Sequence, residues 1–268
     1  MSASSEKRLI FIHGWATDKS VWDGLAQEIA GEDPFLNINL PGHGGKIVWD
    51  EPTLKPAKKE VLNLMEGHRG PIVAIGWSLG AQTIIALASE YPDLFKGIIL
   101  VGATARFCSD TDNDQSYGQS KALVRRMIMD MKRSPAETLR RFYSLNFTPE
   151  ELLTDGARMF IERYRYPGPV ECKEMPPGCF PTFKYNELTT ALEALYATDL
   201  TASLGAVKAK TLLVHGGRDN VCHVNAGRSL ASAIKVARLV IFEDAGHVPF
   251  ITEPERFASC VKGFLDGL

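Results

Sequence analysis

The chain has 268 residues, 45% of them apolar and 23% charged, with a formal net charge of −2. Those values fit one large soluble globular domain, able to enclose a deep pocket without disulfides or metal. They exclude a polybasic or disordered chain, and the near-neutral balance gives no reason to expect nucleic acid or membrane as partner.

The first apolar run, Leu9–Ile12, is too short for a signal peptide or a membrane span. The five cysteines (Cys108, Cys172, Cys179, Cys222 and Cys260) form no CxxC pair and no Cys/His zinc spacing. They read as reduced thiols of a cytoplasmic protein. Cys222 lies near Asp219 and is either a small buried apolar residue or a thiol belonging to the site. Scattered histidines and the lack of a nucleotide-binding glycine motif imply no metal and no cofactor.

Along the chain, short apolar runs alternate with longer amphipathic ones. The expected strands are Leu9–His13, Phe35–Asn39, Ile72–Trp77, Gly97–Val101, Thr211–His215 and Arg238–Phe242. The expected helices are Val21–Ala30, Lys55–Glu66, Leu79–Glu90, Asn225–Ala233 and Pro254–Leu265. Strands apolar on both faces, separated by helices, predict an α/β fold with a mostly parallel sheet. Residues 106–197 interrupt the alternation. Within them, Gly118–Lys132 places Leu123, Val124, Met127, Ile128 and Met131 on one face. Ser134-Pro135-Ala136-Glu137 has the form of a capping-box helix start, and five prolines between Pro167 and Pro181 mark a loop. The reading is a core of residues 1–105 and 198–268 with a helical cap at 106–197; a separately folded second domain is the alternative.

The strongest local signal is Gly76-Trp77-Ser78-Leu79-Gly80. It follows an expected strand and opens an expected helix, as a nucleophile elbow requires. The glycines permit the tight turn, and the helix N-terminus favours negative charge developing at Ser78. A serine hydroxyl needs a base. His247, in Asp244-Ala245-Gly246-His247-Val248-Pro249-Phe250 after the last strand, is the best placed. The imidazole needs a carboxylate to orient it. Asp219, in Gly216-Gly217-Arg218-Asp219 past the preceding strand, fits; Asp244 is the local rival. The chain order Ser78, Asp219, His247 is that of an α/β-hydrolase. Two backbone N–H groups should form the oxyanion hole, those of Leu79 and Trp15. His13 is expected to hold its turn, and Pro41-Gly42-His43-Gly44-Gly45 to shape the rim. Trp77 and Trp15 put aromatic bulk beside the serine, which suits an extended acyl chain unless either ring is simply core.

With these pieces (HGW at 13–15, PGHG at 41–44, GWSLG at 76–80, GGRD at 216–219, GHVPF at 246–250) the sequence resembles the α/β-hydrolase superfamily over nearly its whole length. Within it, the chain looks most like the pimeloyl-[acyl-carrier protein] methyl ester esterases of biotin synthesis. The resemblance implies a serine carboxylesterase working on an ester carried by acyl carrier protein. It also implies cap arginines facing the carrier, for which Arg140, Arg141 and Arg158 are the candidates and Arg140-Arg141-Phe142-Tyr143 the best-matching segment. Relatives carry an extra β-hairpin ahead of the first strand; only Met1–Lys7 stand there here. Independently, Lys121–Arg141 contains seven basic and two acidic residues, a sign that suits an acidic carrier or a phosphate and equally a solvated helix face. The other readings are a broad short-chain esterase or carbon–carbon bond hydrolase without a carrier, and a ligand receptor built on the hydrolase fold.

Overall fold

The computed structural model describes residues 7–44, 48–109, 118–165 and 185–268. In chain order, β1 (Arg8–Ile12) leads through a 3₁₀ turn (Lys19–Trp22) to α1 (Leu25–Ala30) and β2 (Phe35–Ile38). Then follow α2 (Lys55–Met65), β3 (Ile72–Trp77), α3 (Leu79–Glu90) and β4 (Gly97–Val101). Two short strands, β5 (Cys108–Ser109) and β6 (Gln119–Ser120), precede α4 (Lys121–Arg133) and α5 (Pro135–Leu145). A 3₁₀ turn (Glu151–Leu153), α6 (Asp155–Tyr164) and α7 (Tyr185–Ala197) come next. The chain ends with β7 (Lys210–Gly216), α8 (Val224–Ala233), β8 (Ala237–Phe242), the short α9 (Pro249–Thr252) and α10 (Pro254–Leu265).

Six strands form one parallel sheet in the order β2-β1-β3-β4-β7-β8. Every residue of β3 and β4 is buried, whereas the outer strands β2 and β8 are largely half-buried. That gradient follows from position: helices cover both faces of a central parallel strand, so its sequence is apolar throughout. The protein is therefore α/β in class, a parallel sheet flanked by helices.

Two expectations about helices change. Val21–Ala30 is not one helix. Gly24, at φ +77°, separates the 3₁₀ turn from α1, a backbone conformation that glycine adopts without strain. On α4, Val124 and Met131 are buried and Met127 and Ile128 partly so, but Leu123 is 53% exposed. Leu123 lines an open pocket beside α4 instead of the core.

Between β4 and β7 the chain leaves the sheet and returns beside its point of departure. Leu200 N–H donates to the Ala105 carbonyl at 3.0 Å, and Arg106 bridges Asp199 in antiparallel fashion. Helices α4 to α7 lie within this excursion. Met1–Glu6, Gly45, Cys172, Cys179 and the prolines from Pro167 to Pro181 fall outside the described residues.

Candidate active site

Parallel strands direct all their carboxyl ends to one edge, where open α/β sheets bind ligands. Here that edge gathers Trp15 after β1, Ser78 after β3, Asp219 after β7 and His247 after β8.

Ser78 occupies φ +53°, ψ −111°. This left-handed backbone is unfavourable for a non-glycine residue and persists only where packing enforces it. The enforcement is visible at both flanking glycines. A Cβ on Gly76 would lie 2.6 Å from Ile84 Cδ1, and one on Gly80 would lie 2.4 Å from the Ile12 carbonyl oxygen. The first turn of α3 is thus pressed onto β1, and Ser78 projects from the bend. The N–H of Leu79, at the first position of α3, has no partner within the helix by geometry.

Ser78 N–H donates to the Val101 carbonyl at 2.9 Å. The next residue, Gly102, lies against the His247 ring: a Cβ there would meet Cε1 at 2.7 Å and Nδ1 at 2.8 Å. His247 is fully buried, and its Nδ1 stands 2.7 Å from Asp219 Oδ2. Its other nitrogen, Nε2, has no hydrogen-bond partner among the described residues. Asp219 is buried as well. Its Oδ1 accepts the N–H groups of Val221 and Cys222, both at 2.8 Å, and His215 Nε2 stands 3.4 Å from Oδ2. Burial alone would raise the carboxyl; the facing His247 and His215 outweigh it and hold Asp219 well below the usual carboxylate range. An ionised Asp219 accepts Nδ1–H from His247, leaving Nε2 as the basic nitrogen. Asp244, the rival acid, is exposed.

His13 lies deep under the turn after β1. Its Nε2 accepts the Leu40 N–H at 2.9 Å, and its Nδ1 donates to the Gly14 carbonyl at 2.7 Å. Burial lowers its pKa to about 4, so it is a neutral brace and not a proton carrier near neutrality. Trp15 is 2% exposed, packs edge-on against Phe142 at 4.8 Å and donates its indole N–H to the Leu188 carbonyl. The next residue, Ala16, also has φ +57°, and Tyr143 Oη donates to its carbonyl at 2.7 Å.

Trp77 is 1% exposed, its ring closed between Gly14, His247, Phe160 and Phe250. Arg140 and Arg141 both grip Glu137, at 2.8 and 2.7 Å, and Arg158 pairs with Asp155. Glu137 is not a capping-box partner: the Ser134 N–H donates to the Asp130 carbonyl at 2.7 Å, closing α4, and Ser134 caps α5 without a side-chain hydrogen bond. Cys222 is buried, and burial together with the adjacent Asp219 raises its thiol well above the ordinary value, so it is a protonated filler. Beside the site, an apolar pocket runs between α4 and α5, lined by Phe107, Val124, Met127, Phe142 and Val221, with Arg126 and Arg141 among its polar residues.

Several residues that hold the site give weak sequence signals. Gln119 donates to the carbonyls of Asn220 and Val221, beside Asp219. Glu151 takes up the Gly246 N–H. The segment Thr148-Pro149-Glu150-Glu151 has the capping-box form that could have flagged the latter.

Among the described residues no helix is long and apolar enough to cross a membrane, and no cluster of three or more His, Cys, Asp or Glu could hold a metal ion. Residues 9–259 match the Alpha/beta hydrolase family. The chain is 29% identical to the pimeloyl-[acyl-carrier protein] methyl ester esterase of Nitrosomonas europaea, covering 94% of this chain and 93% of that protein. It is also 29% identical to the esterase of the same name from Aromatoleum aromaticum, covering 97% and 98%. Among solved structures, an esterase from Exiguobacterium antarcticum superposes with a TM-score of 0.81 at 19% identity, over 97% of this chain and 92% of that one.

Proposed function

The chain belongs to the Alpha/beta hydrolase family, and on that footing we propose that it is a serine carboxylesterase. Its substrate would be the methyl ester of an acyl chain carried by acyl carrier protein, as in pimeloyl-[acyl-carrier protein] methyl ester. The observation that carries this reading is the buried Asp219–His247 pair at 2.7 Å, with His247 Nε2 unpartnered and its ring seated on Gly102, next to the Val101 carbonyl that accepts the Ser78 N–H.

In this mechanism His247 Nε2 takes the Ser78 proton as Oγ attacks the ester carbonyl carbon. The tetrahedral oxyanion is received by the backbone N–H groups of Leu79 and Trp15. His247 returns its proton to the departing methoxide, methanol leaves, and the acyl group remains on Ser78. Water, deprotonated by the same nitrogen, then attacks the acyl carbonyl carbon; the bond to Ser78 Oγ breaks, His247 returns the proton to that oxygen, and the free acid leaves as its carboxylate. Asp219 keeps the tautomer and stabilises the imidazolium in both steps.

The substrate assignment draws on the named relatives and on the pocket between α4 and α5. Phe142 of that pocket packs on Trp15, and the Val221 N–H bonds Asp219. Residues 106–197 act in this reading as a cap over the site, with Arg140, Arg141 and Arg158 offered to the carrier. A second reading, a short-chain esterase needing no carrier, is favoured by one observation: those arginines are already engaged on their own helices, Arg140 and Arg141 sharing Glu137 and Arg158 pairing with Asp155.

The test is mass-spectrometric assay of purified pimeloyl-carrier methyl ester beside p-nitrophenyl esters of graded length. Preference for the carrier-bound ester supports the first reading; equal or better turnover of small esters supports the second. A phosphonate should label Ser78, and Ser78→Ala should lower hydrolysis by about 10⁴-fold or more while the fold survives. Near-native turnover by that variant would remove Ser78 from the mechanism.

A further inference from the structure

We propose that Glu151 is a positioning residue that sets the peptide carrying His247 and so aligns the imidazole for Ser78. The inference rests on the triad reading above and deepens it. Glu151 sits in the 3₁₀ turn before α6 and is 8% exposed. Its carboxylate accepts Gly246 N–H at 3.0 and 3.1 Å, Thr148 N–H at 2.7 Å and the Thr252 hydroxyl at 2.7 Å. Thr148 and Thr252 flank the pair from the excursion and from α9 respectively, so one carboxylate joins two segments about a hundred residues apart.

The bland account is a capping box. Thr148 Oγ1 does accept the Glu151 N–H at 3.2 Å, and the Thr148 N–H does bond back to the carboxylate. That accounts for one of the partners and for an exposed side chain. It does not account for burial, or for the bonds to Gly246 and Thr252. The seat is reinforced next door: the Asn146 carbonyl accepts His247 N–H at 2.8 Å, and a Cβ on Gly246 would meet that carbonyl at 2.6 Å and Glu151 Oε2 at 2.8 Å. Both peptide N–H groups flanking the Gly246–His247 step are therefore held by residues 146–151. Glu150, adjacent, pairs with Arg218 at 2.9 Å, one residue before Asp219. The same turn thus touches the loops of the acid and of the base.

A Glu151→Ala variant leaves two backbone donors and a hydroxyl without their acceptor and frees the His247 peptide to shift. Misplacement of a reacting group by about 1 Å can cost on the order of 10²-fold. Glu151→Gln can keep most of the seat: its amide oxygen can accept from Thr148 and Gly246, and its NH₂ can donate to Thr252 if that hydroxyl turns.

The experiment measures p-nitrophenyl acetate hydrolysis per active site, with sites counted by phosphonate titration, together with thermal melting. The expected result for Glu151→Ala is a full titre, nearly unchanged KM, and kcat per titrated site lower by roughly 10- to 100-fold, with Glu151→Gln recovering most of the loss. A reduced titre or melting temperature with native kcat per site would show a helix cap and nothing more. Should the alanine variant fail to fold, Glu151→Asp decides, since it keeps the charge but is one methylene short of Gly246; native kcat per site in it overturns the proposal. If wild-type Ser78 takes no phosphonate, the triad reading fails; if it labels and the variants turn over normally per site, only the role of Glu151 fails.

Discussion

Trp77 donates its indole N–H to the carbonyl of His247 at 3.0 Å while the face of its six-membered ring closes on Gly14. One side chain at the end of β3 thus wedges between the turn after β1 and the loop after β8. A Cβ on Gly14 would stand 2.7 Å from that ring, so the HGW turn owes its glycine to the GWSLG tryptophan. Both motifs were legible in the sequence, but the contact between them was not, because period and spacing do not say which loop tops meet.

Trp77→Phe should therefore behave as a change in the site's frame. It removes one buried hydrogen bond and leaves the His247 carbonyl unpaired, which costs about 1–3 kcal/mol in all. Lower melting temperature and lower kcat are expected, with KM for short and long p-nitrophenyl esters moving together. A selective rise in KM for the long esters would instead make Trp77 a wall of the acyl site.

Asp219→Asn should lower kcat by about 10⁴-fold, because an amide in place of the carboxylate favours the wrong imidazole tautomer. Asp244→Asn, at an exposed position, should leave turnover near native. Steady-state kinetics of the two variants against one p-nitrophenyl ester decides between them, and the reverse ranking would place the acid at Asp244.

The buried rings His13 and His43 predict acid sensitivity well above the carboxylate range. Burial lowers His13 from 6.5 to about 4; burial, then the nearby His13, lowers His43 to about 3. Both folded values lie below the unfolded one, so as pH falls the unfolded chain takes up protons first. Their contribution is intact above about pH 6.5 and declines from there toward pH 4, with a slope approaching about 2.7 kcal/mol per pH unit for two protons. Asp219 is held low, so its own contribution persists down to the ordinary carboxylate range and fades only below it. Urea melts between pH 7 and 4.5 should show the decline, and His43→Gln should flatten it by about half. A pH-independent midpoint across that range would contradict it.

Most of the α/β frame could be read directly. Ile72–Trp77, Leu79–Glu90, Gly97–Val101 and Pro254–Leu265 lie at the positions their apolar patterns imply. Local chemistry was less legible. Ser134–Glu137 and Thr148–Glu151 have the same capping-box form, yet the first is not formed, because the Ser134 N–H already closes α4 on the Asp130 carbonyl, and the second is built into the site. The pattern names the residues able to bond; competing partners elsewhere decide which bonds form. Leu123 shows the same limit on α4, where helical period marks it as core and an open pocket claims it.

The carrier docking proposed for the α5 arginines carries the last prediction. Arg140 and Arg141 share Glu137, whose carboxyl they pull down to about 2. An acidic carrier would have to compete with that carboxylate for both guanidinium groups. Glu137→Gln should free them and lower KM for a carrier-bound ester, while Arg140→Glu should raise it. Arg140 is the cleaner probe, because Arg141 also lines the apolar pocket and its change can disturb the acyl chain directly. Neither Glu137→Gln nor Arg140→Glu should alter hydrolysis of p-nitrophenyl acetate. Both effects should shrink as salt rises past 0.1 M, where the Debye length is about 10 Å, since rim charges act chiefly on association. Equal losses on carrier-bound and small esters at every salt concentration would mean that Arg140 supports α5 by packing its stem. No change on either substrate would leave these arginines as solvated surface and favour the esterase that needs no carrier.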